Sequence, residues 1–418
     1  MNQFKSIFFS ILLIASIFAS FKMHKSEQLQ QAYKNDLIEL SSVEYGLLNT
    51  DKWENLLAEI IASKLDDFND EGIDNEAMKK NIGSLLKTLI DDYEKTTQKK
   101  NSGGLFGSVK NSLYASAFDG IREDIPMLTD KVMVFLDIKN NKDGIKEFII
   151  ILLKKYTEGT FARTDYTKVN DIIKKYEGET SSNTVTILQQ KLQEQNHDNQ
   201  LYKIALAMVF LAYICIFFFF KNVSKTEYLL GITFSFLLLF LGITLPMIEI
   251  DARISEMSFS FLNEPIIFKN QVLFYKSKSI YEVVTLMLSQ HKIDLLIVGS
   301  LIFLFSVLFP LTKLISSVFY IISKKLKESK IIQFFIFKTG KWSMADVFVI
   351  AIIMAFIGFE GIVTDQLNQL TTVSSSVDIL TTNNSSVLFG FFSFTAFVII
   401  SIAISHRIHK EKELKENS

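Results

Sequence analysis

Residues 293–323 read IDLLIVGSLIFLFSVLFPLTKLISSVFYIIS, with only Asp294 and Lys313 charged. At about 1.5 Å per residue such a helix extends roughly 46 Å, beyond the ~30 Å of bilayer hydrocarbon. A helix this apolar on every side belongs in lipid. Four further runs are long enough to span: 203–220, 228–248, 344–361 and 388–405. A shorter run, Ile7–Ala19, is flanked by Lys5, Lys22 and Lys25. It reads as a signal peptide cleaved after Ala19 or as an uncleaved anchor, and both export the segment after it.

The charges divide as the apolar runs do. The chain has 418 residues, 49% hydrophobic and 21% charged, and a net charge of −1. Residues 22–202 carry 24 Lys and Arg against 30 Asp and Glu, and the remainder 20 against 15. An acidic soluble part is therefore joined to a basic, hydrophobic part. The 38 Phe residues exclude intrinsic disorder. Cys215 is the one cysteine, which excludes a disulfide framework or a zinc ribbon. Basic residues in short clusters between apolar runs argue against a nucleic-acid partner.

Lysines set the expected orientation. Lys221 and Lys225 come after the span 203–220, Lys324, Lys325, Lys327, Lys330, Lys338 and Lys341 come after 293–323, and Arg407, Lys410, Lys412 and Lys415 close the chain. Segment 362–387 has no Lys or Arg. The positive-inside rule makes the lysine-rich connections and the C-terminus cytoplasmic, with 22–202, 249–292 and 362–387 outside. Loop 249–292 is mixed, its acids offsetting its bases.

Within 22–202, helical stripes run through Trp53, Leu56, Leu57, Ile60, Ile61 and Leu65, through Ile82, Leu85, Leu86, Leu89, Ile90 and Tyr93, and through Ile145, Phe148, Ile149, Leu152, Leu153 and Tyr156. They read as the core of an exported helical domain. Lys139–Gly144 aligns with the start of a calcium loop but has Lys139 where the first carboxylate belongs and Ile150 where the bidentate Glu belongs, so it reads as a polar turn. No hydrolase, zinc-protease or phosphate-loop signature is present. Neither a metal site nor a cofactor is expected, and the chain is not expected to be an enzyme. His406 and His409 read as basic flank, and Cys215 as packing within its span.

Beyond the span 228–248, Ile248–Ile254 alternates apolar and charged residues, and Met257–Phe261 repeats the alternation. Both predict strands of a small outward sheet. Pro246 ends one span and Pro310 lies inside another. Pro310 removes the amide that would bond the Ser306 carbonyl. The freed carbonyl, Ser306, Thr312 and Lys313 then form a candidate intramembrane polar site. Asp346 is the second costly charge, roughly 7 Å deeper than Lys341 at about 1.5 Å per residue. The blander reading has Asp346 capping its span and Lys313 snorkelling outward. Ile331–Phe337 reads either as an inner-leaflet amphipathic helix or as a packed connector.

Three pieces in order resemble the paraquat-inducible protein A family: Leu245-Pro246-Met247, Ser306–Lys313, and Gly340-Lys341-Trp342-Ser343-Met344-Ala345-Asp346-Val347-Phe348. The resemblance covers residues 228–406 as one four-span module. Better-known members carry two modules and cytoplasmic zinc ribbons, which this chain lacks, so zinc does not carry over. The resemblance implies a bacterial inner-membrane protein that moves phospholipid across the envelope alongside a mammalian-cell-entry (MCE) domain protein. It also implies a fold similar to claudin and tetraspanin-like bundles.

The expected architecture is an all-α polytopic membrane protein with a small outward β-sheet. Its parts are a leader or anchor (1–21), a periplasmic helical domain (22–202), a span and turn (203–227), the four-span module (228–406) and a cytoplasmic tail (407–418). Competing functions are a tetraspan scaffold for envelope proteins and a proton-coupled small-solute transporter.

Overall fold

The computed structural model describes residues 2–70, 164–219, 223–261, 264–290, 292–323, 329–338, 345–372 and 377–416, with scattered positions between 76 and 154. Helix α1 (Asn2–Leu40) and helix α4 (Ser181–Phe219) each run for 39 residues. Neither contains Gly or Pro, so nothing breaks them where hydropathy falls. They carry the helix straight through residues 21/22 and 202/203. The chain's compact units divide elsewhere: one comprises Met1–Val43, Tyr166–Ser258 and Ile267–Ser418, the other Glu44–Asp165 and Phe259–Ile266.

In the smaller unit, α2 (Thr50–Asp70) comes after a turn in which Trp53 Nε1 donates to the Leu47 carbonyl at 2.6 Å. Its buried face centres on Ala58, Ile61 and Ala62, with Trp53, Leu56, Leu57 and Ile60 half-buried beside it. Ile82 of the second predicted stripe is also buried. The rest of that stripe, the third stripe and Lys139–Gly144 lie outside the described residues.

In the larger unit, α3 (Thr167–Lys175) leads to α4, and then to α5 (Lys225–Thr244) and strands β1 (Ile248–Phe261) and β2 (Glu264–Lys278). Then come α6 (Ile280–Ser289), α7 (Ile293–Phe303), a π-helical segment (Leu304–Leu308) and α8 (Phe309–Ile322). A short helix α9 (Lys330–Gln333) runs into a second π-helical segment (Phe334–Lys338). The chain continues through α10 (Ala345–Thr372), β3 (Val377–Asn383), β4 (Ser386–Val387) and α11 (Phe389–Glu416).

Among the described residues, Ile7–Leu40, Ser181–Phe217, Lys225–Thr244, Ile293–Ile322 and Phe389–Lys410 are long and apolar enough to cross a membrane. Helix α10 covers the further predicted span 344–361 from Ala345 onward. The mostly helical chain with its small sheet is a multi-pass membrane protein.

Packing runs antiparallel through the bundle. Phe9 of α1 meets Tyr213 near the end of α4 (5.4 Å between rings), and Tyr213 stacks on Phe234 of α5 at 4.9 Å. Gly242 of α5 abuts Phe394 of α11, and Gly231 abuts Phe217 and Ile404. Phe9, Leu13, Met23, Leu206, Ile232, Phe394 and Leu314 thus share one core. Arg407 Nε donates to the Phe217 carbonyl at 2.6 Å, satisfying a free acceptor at the end of α4.

The sheet order is β2-β1-β3, with β4 pairing antiparallel to β1 through Ile248 with Val387 and Glu249 with Ser386. The two strand segments predicted within 248–261 form one continuous strand. Leu245-Pro246-Met247 is the seam between bundle and sheet. Met247 N donates to the Lys278 carbonyl at 3.0 Å, Leu388 N to the Met247 carbonyl at 2.8 Å, and Gly390 N to the Pro246 carbonyl at 3.1 Å. A Cβ on Gly390 would collide with the carbonyls of Leu245 and Pro246, so glycine permits the closure. In the connector, Ile336 is buried in the core while Ile331 and Phe334 are exposed. It is packed on one face and apolar on the other.

Candidate functional site

Pro310 shapes the predicted polar site from the backbone outward. Without its N–H, and with its ring against the carbonyl of the preceding turn, a regular α-helix cannot continue through it unchanged. The turn before it widens: the Phe309 amide donates to Leu304, five residues back, as in π-bulges that recur at functional sites. From this turn onward, Ser306, Pro310, Lys313, Ser317 and Tyr320 recur every three or four residues and form one buried face.

Lys313 is 6% exposed. Ser306 is fully buried, and its Oγ has no hydrogen-bond partner among the described residues. Ser317 Oγ donates to the Lys313 carbonyl at 2.9 Å. Helix α8 packs on α5, where Ser235 is buried and donates to the Gly231 carbonyl at 2.9 Å. Thr312 lies beside this face, half-buried, and its hydroxyl is turned to its own helix, donating to the Phe309 carbonyl at 3.0 Å.

The structure thus brings Ser306 and Lys313 onto one face and leaves Thr312 at its edge. Ser316, Ser317 and Tyr320, also buried, were not among the predicted residues. The signal for Ser317 and Tyr320 was their spacing of four and seven from Lys313. Asp346 is the second residue of α10, which passes beside the π-helical segment 304–308. The side chain of Asp346, with Gly340, Trp342, Ser343 and Met344, lies outside the described residues. Cys215 lies on an exposed face of α4 rather than in the packing expected of it.

A second polar region, at the sheet end of the bundle, was not read from the sequence. Lys34 of α1 donates to both carboxylate oxygens of Glu249 on β1, at 2.7 and 3.0 Å. Gln31 Nε2 donates to the Tyr275 hydroxyl of β2 at 3.2 Å. Burial, and then the charge of Glu249, push the Tyr275 hydroxyl well above its ordinary value. Ser26 Oγ donates to Gln195 Oε1 at 2.6 Å, and Asn199 Nδ2 to Glu27 Oε2 at 2.9 Å. Arg253 closes a two-pronged pair on Asp251 at 2.7 and 2.8 Å. The α1 and α4 partners are 169 and 172 positions apart and the others lie on a sheet, so, apart from Asp251 and Arg253, no local spacing announces them.

Residues 259–382 match the family model for paraquat-inducible protein A. The match takes in the motif pieces at 306–313 and 340–348 and covers under a third of the chain. No curated protein and no solved structure matches the chain. This segment of the membrane module is thereby similar to the paraquat-inducible protein A family.

Proposed function

We propose that this membrane protein of paraquat-inducible protein A type is the inner-membrane component of a bacterial lipid-trafficking system. It moves phospholipid across the envelope together with an MCE-domain partner and carries out no chemical conversion. The observation that carries this reading is the buried stripe Ser306–Pro310–Lys313–Ser317 on an otherwise apolar helix. A cation inside a span costs a few kcal/mol, and such residues usually face a polar path. A phospholipid phosphate passing the stripe meets an ammonium and serine hydroxyls, while its acyl chains stay against the apolar flanks. The partner is what the family resemblance implies, and the lysine distribution supports a cytoplasmic C-terminus with the sheet facing the periplasm.

Lys313→Ala and Asp346→Asn, made separately, are expected to abolish lipid-barrier maintenance while membrane insertion and melting temperature stay near wild type. Phospholipid crosslinked by a photoreactive residue at position 313 is the companion readout. Normal barrier function in both variants rejects the reading. A stable partner complex free of lipid points instead to a scaffold.

A further inference from the structure

Glu27, a carboxylate at the sheet end of the bundle, is buried with no cation in hydrogen-bonding reach among the described residues. Glu27 of α1 is 8% exposed, and the partner the structure gives it is an amide, the Asn199 Nδ2 donating to Oε2 at 2.9 Å. Asn199 is itself 0% exposed, and its Oδ1 has no hydrogen-bond partner among the described residues. A buried amide oxygen beside a buried carboxylate is a mismatch, since both atoms accept and neither donates.

His24 and Lys34 share α1 with Glu27; Lys203 faces it from α4 and Glu249 from β1, and Tyr275 of β2 in turn faces Glu249. Lys34 is held by both oxygens of Glu249. The Lys203 ammonium lies over the Phe389 ring, 5.9 Å from its centre. Arg253 is paired with Asp251, and Lys168 and Lys175 of α3 pair with Glu39 and Asp36. Helix α5 presents Phe240 to His24, and its own titratable residues, Lys225, Glu227 and Tyr228, sit in its first turn. Two buried acids, Glu27 and Glu249, therefore face two lysines: Glu249 holds Lys34 through both oxygens, Lys203 acts on Glu27 through space, and the hydrogen-bond partner of Glu27 is the Asn199 amide. A buried carboxylate hydrogen-bonded to an amide rather than to a cation relieves its desolvation by taking up a proton.

We infer that Glu27 and Asn199 form a proton-binding site in which Glu27 is a neutral carboxylic acid at neutral pH. The step is a simple proton transfer from water: one O–H bond forms on the carboxyl group and hydroxide stays in solvent. The new O–H donates to Asn199 Oδ1 while Asn199 Nδ2 donates to the other carboxyl oxygen. The reciprocal acid–amide pair satisfies both buried groups at once. Loss of the proton creates a second buried carboxylate that competes with Glu249 for Lys34, so occupancy of the site is felt at the contact between α1 and β1.

The test uses the full-length protein in liposomes and infrared difference spectra between neutral and alkaline pH, and reads protonation without reference to transport. Wild type is expected to show a protonated-carboxyl C=O band at neutral pH that disappears on alkalinisation. Glu27→Gln removes it. Asn199→Ala, which keeps the acid and takes away its partner, shifts it to higher frequency. A wild type without such a band, or a band unchanged in both variants, overturns the inference. Should Glu27→Gln fail to fold, the Asn199→Ala spectrum decides alone, and an unshifted band there overturns it.

Discussion

Glu249 shows what side-chain alternation says and what it omits. Ile248–Ile254 reads as a strand with one face buried; it is a strand, but Glu249 and Asp251 are buried on one face and Ala252 and Ile254 on the other, while Ile248 and Ile250 are half-exposed. Period-two patterning assigns residues to faces without saying which face turns inward. Here Lys34, more than 200 residues away in sequence, makes burial of Glu249 tolerable. Lys34→Met leaves that carboxylate buried and unpaired and is expected to lower stability by about 1–3 kcal/mol. The partial exposure of Lys34 keeps this below the cost at a fully buried pair. The double variant Lys34→Met with Glu249→Gln recovers most of the loss. Thermal unfolding of the four proteins in detergent, read as a double-mutant cycle, checks both the loss and its recovery.

At the scale of elements, helices and spans were legible because their signals are local. Apolar runs of span length became helices, and the π-helical turn stands where Pro310 had marked an interruption. Two helix starts carry capping boxes: Ser224 with Glu227 and Ser279 with Glu282 each exchange side-chain and backbone hydrogen bonds. What escaped was everything that depends on two elements meeting, including β3, the buried Ser235, and the Glu27–Asn199 pair. Close helix approach is one such case. A Cβ on Gly242 would lie 2.8 Å from the backbone of Phe394, and backbone cannot swing aside as a side-chain tip can. Gly242→Ala is expected to push α5 and α11 apart at about 1–3 kcal/mol, seen as a lower melting temperature in detergent.

The docking of α3 on α1 carries its own pH signature. Lys175 and the Tyr176 hydroxyl both donate to Asp36 Oδ2 at 2.7 Å. The hydrogen bond to Asp36 holds the Lys175 ammonium above its ordinary range, and burial, then Asp36, push Tyr176 up to about 12. Each group binds its proton more tightly folded than unfolded. Their contribution is therefore complete below the ordinary tyrosine value of about 10 and is lost as pH rises through about 12. Unfolding followed against pH should show stability falling across that alkaline window. Tyr176→Phe, which keeps the ring against Tyr33, should flatten the decline.

Over the larger unit, the antiparallel contacts impose a single sidedness. The start of α1, the end of α4, the start of α5 and the end of α11 lie together, since Phe9 meets Tyr213, Phe217 meets Tyr228, and Arg407 reaches the Phe217 carbonyl. The sheet adjoins the opposite end of α5, with Leu388 hydrogen-bonded to Met247. The lysine-rich ends and the sheet therefore cannot share a membrane face, whichever way the bundle is inserted. The same packing bears on residues 1–19. Phe9 and Leu13 belong to the core that also contains Met23 and Tyr213, so a cut after Ala19 would remove core side chains from a folded bundle. In a Cys215→Ala background, Thr382→Cys is expected to react with an impermeant maleimide on intact spheroplasts, and Lys410→Cys only after permeabilisation. The intact mass of the purified protein should retain residues 1–19. Labelling of both cysteines from one side contradicts the antiparallel bundle, and a mass lacking those residues contradicts the role of α1 in its core.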